Sequence, residues 1–410
     1  MGSIGGGRAE NLAGFHAPLE NLGLRKSIRK RVHTLRRQMA APSNLETSKF
    51  NWLLDRPLSG AVTGSFSTGE SAEDGALVRR VMAAYASAVN QHVSSDSFWD
   101  GSIFNLNNDI HEALIGADEA RAAELLQNPQ NTAHFWGFDM PAKAPAGQVE
   151  PHQSLLEHLD HGASWQDLLA VWTYDKLRTL AEAVGAVNLH YPESPKAPQH
   201  YGTDELLDMI EGRIGTKLVF PNPFAGEYGL GSSRGIVSFR ALQSLYQAWR
   251  IRELTSGSNG KVLEIGAGLG RTAFFAHQLG VPDYTIIDIP MTAAAQGYFL
   301  GRTLGKETVS LNAEKGNAPV KVVAASTLDT LPHDFDLIVN VDSLTEMAAD
   351  TMGAYWQFIQ QATPLFLSIN HNANERSVSD LYDHNAKPRV TRSPYWMRRG
   401  YVEEIIEIAR

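Results

Sequence analysis

The sequence predicts an α/β protein with a mostly helical first half and a parallel sheet in its second half. From residue 261 onwards, short apolar segments rich in β-branched residues alternate with segments of helical periodicity, which is typical of a parallel sheet covered by helices. Before residue 200, apolar residues recur at helical spacing between prolines and glycines. Because residues 190–200 contain three prolines, we expect a helical domain at residues 1–200 and a sheet domain at residues 201–410.

Helical periodicity marks several segments of the first half. One of them, residues 21–39, carries an apolar stripe flanked by basic residues and no acid, which favours a solvated surface helix over a docking helix for an acidic partner. The apolar stripes also lead us to expect a homodimer built on these helices. The predicted helices are 21–39, 73–92, 108–127, 152–161, 164–186 and 202–213.

Strands and helices alternate through the second half. The apolar character of the strands predicts that they lie in the centre of a sheet that is covered on both faces. The predicted strands are 261–265, 284–289, 320–324, 335–341, 365–370 and 401–408. The predicted helices are 235–254, 271–279, 291–303 and 345–362.

Composition narrows the classes of function. The chain has 410 residues, of which 43% are hydrophobic and 20% charged, and it contains no cysteine, which excludes disulfides and thiolate metal sites. The net charge of −9 is shared by both halves, so we expect no nucleic-acid partner. No apolar segment is long enough for a membrane span. These features are typical of a cytoplasmic enzyme.

A glycine-rich loop follows the first predicted strand. Residues 264–271 read EIGAGLGR, so that Glu264 ends the strand and Gly266, Ala267 and Gly268 form the loop. In the dinucleotide fingerprint a third glycine stands where this chain has Arg271, and an arginine there disfavours a nicotinamide cofactor. The E-x-G-x-G-x-G spacing instead resembles motif I of the class I methyltransferases, which have a Rossmann-like fold and use S-adenosylmethionine.

This resemblance implies a set of cofactor contacts. Glu264 would lie near the methionine amino group, and the backbone of the loop would lie under the methionine and ribose. Asp288, 20 residues after Gly268 at the end of the second strand, would accept hydrogen bonds from the ribose hydroxyls, next to Ile289. Ser326, after the third strand, would face the adenine. Asn340 stands at the carboxyl edge of the fourth strand, where ligands bind in such sheets.

Four further segments resemble a family of sugar O-methyltransferases from polysaccharide and natural-product clusters. They are RGIVSFR at 234–240, NVDSLTEM at 340–347, SINH at 368–371 and WMRRGYVEE at 396–404. The resemblance implies methylation of a sugar-like small molecule, which is either free, glycosylated or linked to a nucleotide. Two alternatives remain: an N-methyltransferase of an aminosugar or a related intermediate, and a non-catalytic binding protein on a methyltransferase fold.

Methylation of a hydroxyl group requires a general base. His371 follows the fifth strand at the carboxyl edge and is the predicted base, with a structural histidine as the alternative. Asp342 and Glu346 are four residues apart and would share a helix face, from which they would orient His371 or act as bases themselves. Their carboxylates would also suit Mg²⁺, although we do not favour a metal in this site.

Polar residues near the expected mouth of the site are the candidates for binding the acceptor. Tyr228 lies in a segment rich in glycine, proline and aromatic residues that precedes the core. Asn370 and Asn372 belong to the polar loop NHNANE, and Arg392 belongs to a basic cluster that could hold a phosphate. A hydroxyl-rich substrate needs such donors and acceptors.

Overall fold

The structure is a computed structural model, and it describes residues 61–64, 72–92, 104–116, 118–129, 165–189, 199–224, 227–372, 374–382 and 389–408. The predicted helices at 21–39 and 152–161 lie outside the described residues. No described helix is both long and apolar enough to cross a membrane.

The helices form before and between the strands of a large sheet. In chain order they are α1 (Ala72–Val89), α2 (Phe104–Leu106), α3 (Asn108–Ile115), α4 (Glu119–Gln127), α5 (Trp165–Ala183), α6 (Thr203–Ile214), α7 (Phe239–Leu254), α8 (Arg271–Gln278), α9 (Pro290–Leu304) and α10 (Ala349–Ala362). Short 3₁₀ turns lie at Ala325–Thr330, Leu344–Glu346 and Val378–Asp380.

The strands form two sheets. They are β1 (Ala61–Gly64), β2 (Glu227–Ser232), β3 (Gly235–Val237), β4 (Lys261–Ile265), β5 (Asp283–Asp288), β6 (Val309–Ser310), β7 (Val320–Ala324), β8 (Leu337–Val341), β9 (Leu365–His371), β10 (Arg389–Pro394) and β11 (Tyr401–Glu407). The first three make a small antiparallel sheet, and the other eight make the large one.

The large sheet has the order β10-β11-β9-β8-β4-β5-β7-β6. The strands from β6 to β9 are parallel across the sheet, and β11 runs antiparallel to β9. The chain places β5, β6 and β7 on one side of β4 and then returns to place β8 on the other side of β4. This reversal creates a switch point between β4 and β8, where ligands bind in open α/β sheets. The Rossmann-like α/β fold and the closing strand expected at 401–408 are thus confirmed.

Helices cover both faces of this sheet. Because right-handed crossovers run in opposite directions from β4, α8 and α9 cover one face and α10 covers the other. Leu263 and Ile265 of β4 are buried together with Tyr355 and Ile359 of α10. The central strand β4 is thus packed into an apolar core on the face that α10 covers.

Three element boundaries differ from the sequence expectation. The helix expected at 235–254 begins at Phe239, because Ser238 caps its N-terminus by accepting a 3.2 Å hydrogen bond from Ala241 N. The helix expected at 108–127 is two helices separated at Gly116. The helix expected at 345–362 begins at Ala349, after a 3₁₀ turn.

The described helices of the first half pack against the second half. Helix α1 lies on α9, and α5 contacts α6 and α7. The ion pair between Arg80 and Glu314, at 2.7 Å, joins α1 to the segment after β6. The domain boundary expected near residue 200 stays a prediction.

Helix α7 is tied to the last strand of the sheet. The hydroxyl of Tyr246 donates a 2.9 Å hydrogen bond to the buried carboxylate of Glu403, and Arg250 donates one of 2.8 Å to the same group. Helix α7 and β11, which are far apart in the sequence, are therefore in direct contact in the fold.

Candidate active site

A cavity of about 740 Å³ opens at the carboxyl ends of the parallel strands. Its wall is contributed by the end of α1, the first half of α7, the glycine loop, the ends of β5 and β8, the turn after β7 and the start of β11. This is the switch point of the sheet, and cavities of this size hold small organic ligands.

The glycine loop forms one side of the cavity with a backbone that only glycine adopts easily. Gly266 and Gly268 have φ angles of +70° and +54°, and Gly270, at +85°, caps the N-terminus of α8. A Cβ atom on Gly266 would lie 2.2 Å from Ser343 Oγ. The loop can therefore lie close to β8 and leave its backbone exposed to a ligand.

Asp288 ends β5 on the cavity wall and holds the loop in place. Its Oδ2 accepts hydrogen bonds from Ala267 N at 3.0 Å and from Gln296 Nε2 at 2.6 Å, while Oδ1 accepts one from Ile289 N at 2.8 Å. Burial nevertheless raises the pKa of this carboxyl to about 7. Asp288 combines a structural role with a position suited to ribose hydroxyls.

Glu264 lies in the same wall and is 1% exposed. Its Oε2 accepts a 2.9 Å hydrogen bond from the hydroxyl of Tyr284. Burial raises its pKa to about 8, and the charge of Asp288 adds to this effect. A buried carboxyl of this kind is stabilised in its charged form by a cation, such as the ammonium group of an amino acid.

The remaining predicted cofactor contacts divide into two groups. Ile289 and Ser326 line the cavity. Asn340 does not, because its amide donates to Ile265 O at 2.9 Å and to Ser343 Oγ at 2.6 Å. Asn340 therefore fixes the backbone under the glycine loop instead of facing a ligand.

The cavity also carries two carboxylates from the segment after β8. Asp342 and Glu346 both line it, although the helix face that they were expected to share is replaced by a 3₁₀ turn at Leu344–Glu346. Asp342 has a φ of +56°, which is uncommon for a residue with a side chain. Its Oδ2 accepts hydrogen bonds from Tyr401 at 2.5 Å and from Arg398 at 3.2 Å.

His371 is not on the cavity wall, which corrects the expectation that it faces the methyl donor. It ends β9, and its ring packs edge-on against the ring of Tyr401, with 5.1 Å between centroids. Within the described part of the chain, its Nδ1 is buried without a hydrogen-bond partner. It is Tyr401, opposite His371 in the antiparallel pair, that reaches the cavity.

Three of the four predicted acceptor-binding residues, Asn370, Asn372 and Arg392, also lie away from the cavity. Asn370 is buried, where its amide donates to Asn340 Oδ1 at 2.9 Å and to Ser368 Oγ at 2.9 Å. Asn372 accepts a 2.6 Å hydrogen bond from the exposed Arg392. The structure describes the backbone of Tyr228 in β2, and its side chain lies outside the described residues.

Several cavity residues were missed by the sequence analysis. They come from elements whose contact with the cavity depends on long-range packing. The segments at 234–240 and 396–404, which were noted for their resemblance, contained two of them. The missed residues that matter below are Gln91, His92, Arg240, Gln243 and Tyr401, whereas Arg398 belongs to the basic cluster expected near the mouth of the site.

The cavity fits S-adenosylmethionine on the evidence of its own residues. The two buried carboxyls, Glu264 and Asp288, match an ammonium group and ribose hydroxyls, and the loop beside Gly266 leaves room for close approach. In the described part of the chain, no group of three or more His, Cys, Asp or Glu side chains is arranged to hold a metal ion.

Comparison with known proteins finds no matching family model and no match among curated proteins. Among solved structures, magnesium protoporphyrin IX methyltransferase from Synechocystis PCC 6803, with bound SAM, is 13% identical, with a TM-score of 0.30 over 41% of this chain and 82% of that chain. A SAM-dependent methyltransferase from Aquifex aeolicus is 16% identical, with a TM-score of 0.29 over 41% of this chain and 92% of that chain. These likenesses assign no ligand or reaction to this chain.

Proposed function

We propose that this chain transfers the methyl group of S-adenosylmethionine to a hydroxyl group of a sugar-like small molecule. The proposal rests on one observation. A single cavity has one wall that contains Glu264 and Asp288 and a second wall that contains Asp342 and Glu346. The first wall suits the methyl donor, and the second suits an acceptor that must lose a proton.

The chain's own groups would bind and orient the donor. Glu264, in its charged form, would pair with the amino group, and Asp288 would accept hydrogen bonds from the ribose. When bound, S-adenosylmethionine supplies an electrophilic methyl group on a sulfonium. Because transfer requires an in-line arrangement, much of the catalysis would come from holding the acceptor oxygen opposite the sulfur.

Asp342 is the general base that the geometry favours. Within the described part of the chain, both hydrogen bonds to its side chain fall on Oδ2, from Tyr401 and Arg398. These bonds fix the orientation of the carboxylate, and Oδ1 would take the acceptor's proton as the new C–O bond forms and the C–S bond breaks. His371, packed against Tyr401, would support the position of that ring.

The acceptor class is inferred from the polar groups of the second wall and from the resemblance to sugar O-methyltransferases. Arg240, Gln243 and Ser244 from α7 line the cavity together with Arg398 and Tyr401. Such a surface provides many donors and acceptors at fixed positions, which is what a polyhydroxylated ligand needs. A nucleotide-linked sugar would satisfy the arginines through its phosphate groups.

An amine acceptor is the second candidate. The two carboxylates, Asp342 and Glu346, would attract an ammonium group and take its proton. An aminosugar N-methyltransferase would therefore use the same wall. The two reactions differ in the atom that gains the methyl group, and this difference can be measured.

The experiment is incubation with S-adenosylmethionine and a panel of sugars, nucleotide sugars and aminosugars, followed by mass spectrometry for a product with one added methyl group. Fragmentation locates the methyl on oxygen or nitrogen. Asp342→Asn should abolish turnover while S-adenosylhomocysteine still binds, and Asp350→Asn, an exposed aspartate outside the cavity, should have no effect. If calorimetry detects no binding of S-adenosylmethionine or S-adenosylhomocysteine, the proposal is wrong.

A further inference from the structure

Helix α1 lies antiparallel along α9. Near its start, Leu77 packs on Gly301, where an added Cβ would lie 2.4 Å from Leu77 Cδ1. One turn later, Val81 lies beside Gly297, where an added Cβ would lie 3.6 Å from Val81 Cγ2. Because the contacts on α9 move towards its N-terminus as α1 proceeds, the end of α1 approaches the start of α9.

Two ion pairs fasten α1 in this register. The buried carboxylate of Asp74 pairs with Arg302 near the end of α9. Arg80 pairs with Glu314 at 2.7 Å and also donates a 2.7 Å hydrogen bond to Val309 O. These contacts lie on both α9 and the segment after β6, so they fix the direction of α1 as well as its position.

The start of α9 lies beside the proposed ribose site. Pro290, the first residue of α9, comes two residues after Asp288, and it lines a small pocket together with Ala88 of α1. Gln91 and His92, which follow the end of α1 at Val89 after one intervening residue, line the main cavity together with Asp288 and Ile289. A helix that precedes the sheet by more than 150 residues thus reaches the carboxyl end of β5.

We propose that Gln91 and His92 contact the adenosine half of the methyl donor and complete its binding site. This inference rests on the proposed function. The amide of Gln91 can donate and accept hydrogen bonds, as ribose hydroxyls and adenine edges require, and the flat ring of His92 can pack on or hydrogen-bond to a base. Neither residue belongs to the segments that carry the sequence resemblance, so this part of the site is specific to the way α1 docks.

The experiment is calorimetry of S-adenosylhomocysteine with the full chain and three variants. Gln91→Ala and the double variant Gln91→Ala/His92→Ala should weaken binding, the latter about tenfold, because each removes a polar contact. Asn90→Ala is the matched control, since Asn90 is exposed, directly precedes Gln91 and does not line the cavity. Thermal unfolding of each protein without ligand should be unchanged, which would separate a lost contact from a lost fold.

A second ligand identifies the half of the donor that is contacted. 5′-Methylthioadenosine keeps the adenosine half and lacks the amino acid, so its binding should weaken by the same factor in the double variant. An equal affinity of wild type and double variant for S-adenosylhomocysteine overturns the inference, as does a loss confined to S-adenosylhomocysteine. Failure of the wild type to bind either ligand would instead refute the proposed function on which the inference rests.

Discussion

The hydroxyl of Tyr401 donates a 2.5 Å hydrogen bond to Oδ2 of Asp342, across two strands that are not neighbours in the sheet. Arg398 bonds to the same oxygen and stacks over the Tyr401 ring, with 4.2 Å between the guanidinium carbon and the ring centroid. Burial raises the pKa of the Tyr401 hydroxyl, which therefore stays protonated and remains a donor. The cluster holds one carboxylate on the cavity wall in a fixed orientation.

Replacing Tyr401 by phenylalanine tests this positioning role. We expect Tyr401→Phe to lower kcat by about tenfold, because one oriented hydrogen bond to the proposed base is lost. Affinity for S-adenosylhomocysteine should not change. Steady-state kinetics and calorimetry measure the two quantities, and Tyr382→Phe, at a tyrosine that does not line the cavity, is the matched control. A parallel loss of cofactor affinity would contradict the assignment.

We expect Glu264→Gln to raise the free energy of unfolding and to weaken cofactor binding. Because the pKa of Glu264 is raised from 4.5 to about 8, the folded state holds an extra proton between these values, and the free energy of unfolding falls as the pH rises through that window. The glutamine variant lacks this dependence, so its advantage in stability should be larger at pH 8 than at pH 5. Urea unfolding at both values measures it.

The same pKa predicts how cofactor affinity depends on pH. A cationic amino group favours charged Glu264, so binding to the wild type should release a proton below pH 8 and should tighten as the pH rises towards 8. Calorimetry in buffers of different ionisation enthalpy counts the released protons. In Glu264→Gln, the affinity for the cofactor should be lower, and the proton that this carboxyl releases on binding should no longer be counted. An unchanged number of released protons would show that Glu264 does not bind the amino group.

Asp288→Ala should weaken binding of S-adenosylhomocysteine by about a hundredfold, because two charge-assisted hydrogen bonds to the ribose are lost. The bonds that Asp288 accepts from Ala267 and Gln296 would be lost as well, which loosens the loop. Asp283→Asn is the control at the other end of β5, where the carboxylate pairs with Lys321. Equal affinity of Asp288→Ala and wild type would show that the ligand does not use this strand end.

Arg234 is expected to matter for stability and not for the cavity. It pairs with Asp204, Asp208 and the buried Glu211, and thereby joins the β2–β3 hairpin to α6. Arg234→Met leaves the Glu211 carboxylate buried with one fewer partner and should lower the free energy of unfolding by about 3 kcal/mol. Chemical unfolding measures the loss, and Arg234→Met/Glu211→Gln should recover part of it.

The contact between Arg234 and Glu211 also makes the free energy of unfolding depend on pH, with a sign opposite to the one expected for Glu264. Hydrogen bonding by Arg234 lowers the pKa of Glu211 from 4.5 to about 2. The stability that this contact supplies is therefore present above pH 4.5 and is lost as the pH falls towards 2. Unfolding measured between pH 5 and pH 2 should show a steeper decline in the wild type than in Arg234→Met; parallel curves would contradict the expected coupling.

The sequence by itself determined the alternating strands and helices and one wall of the cavity. Each of these follows from local patterns. Apolar segments predict buried strands, and parallel strands bring their carboxyl ends to one edge, so Glu264 and Asp288 had to lie near the glycine loop. This reasoning needs only the strand order, which the crossover rules restrict to few options.

Only the tertiary structure decided which residues from other elements complete the cavity. The sequence suggested His371 at a strand end, but strand pairing placed it against Tyr401, and it was Tyr401 that reached the cavity. The position of Gln91 and His92 at the cavity depends on how α1 packs on α9. Contacts between residues far apart in the chain depend on packing and loop geometry, which leave no local periodicity in the sequence. For that reason, the carboxylates at the strand ends could be predicted, and the residues that other elements bring to the cavity could not.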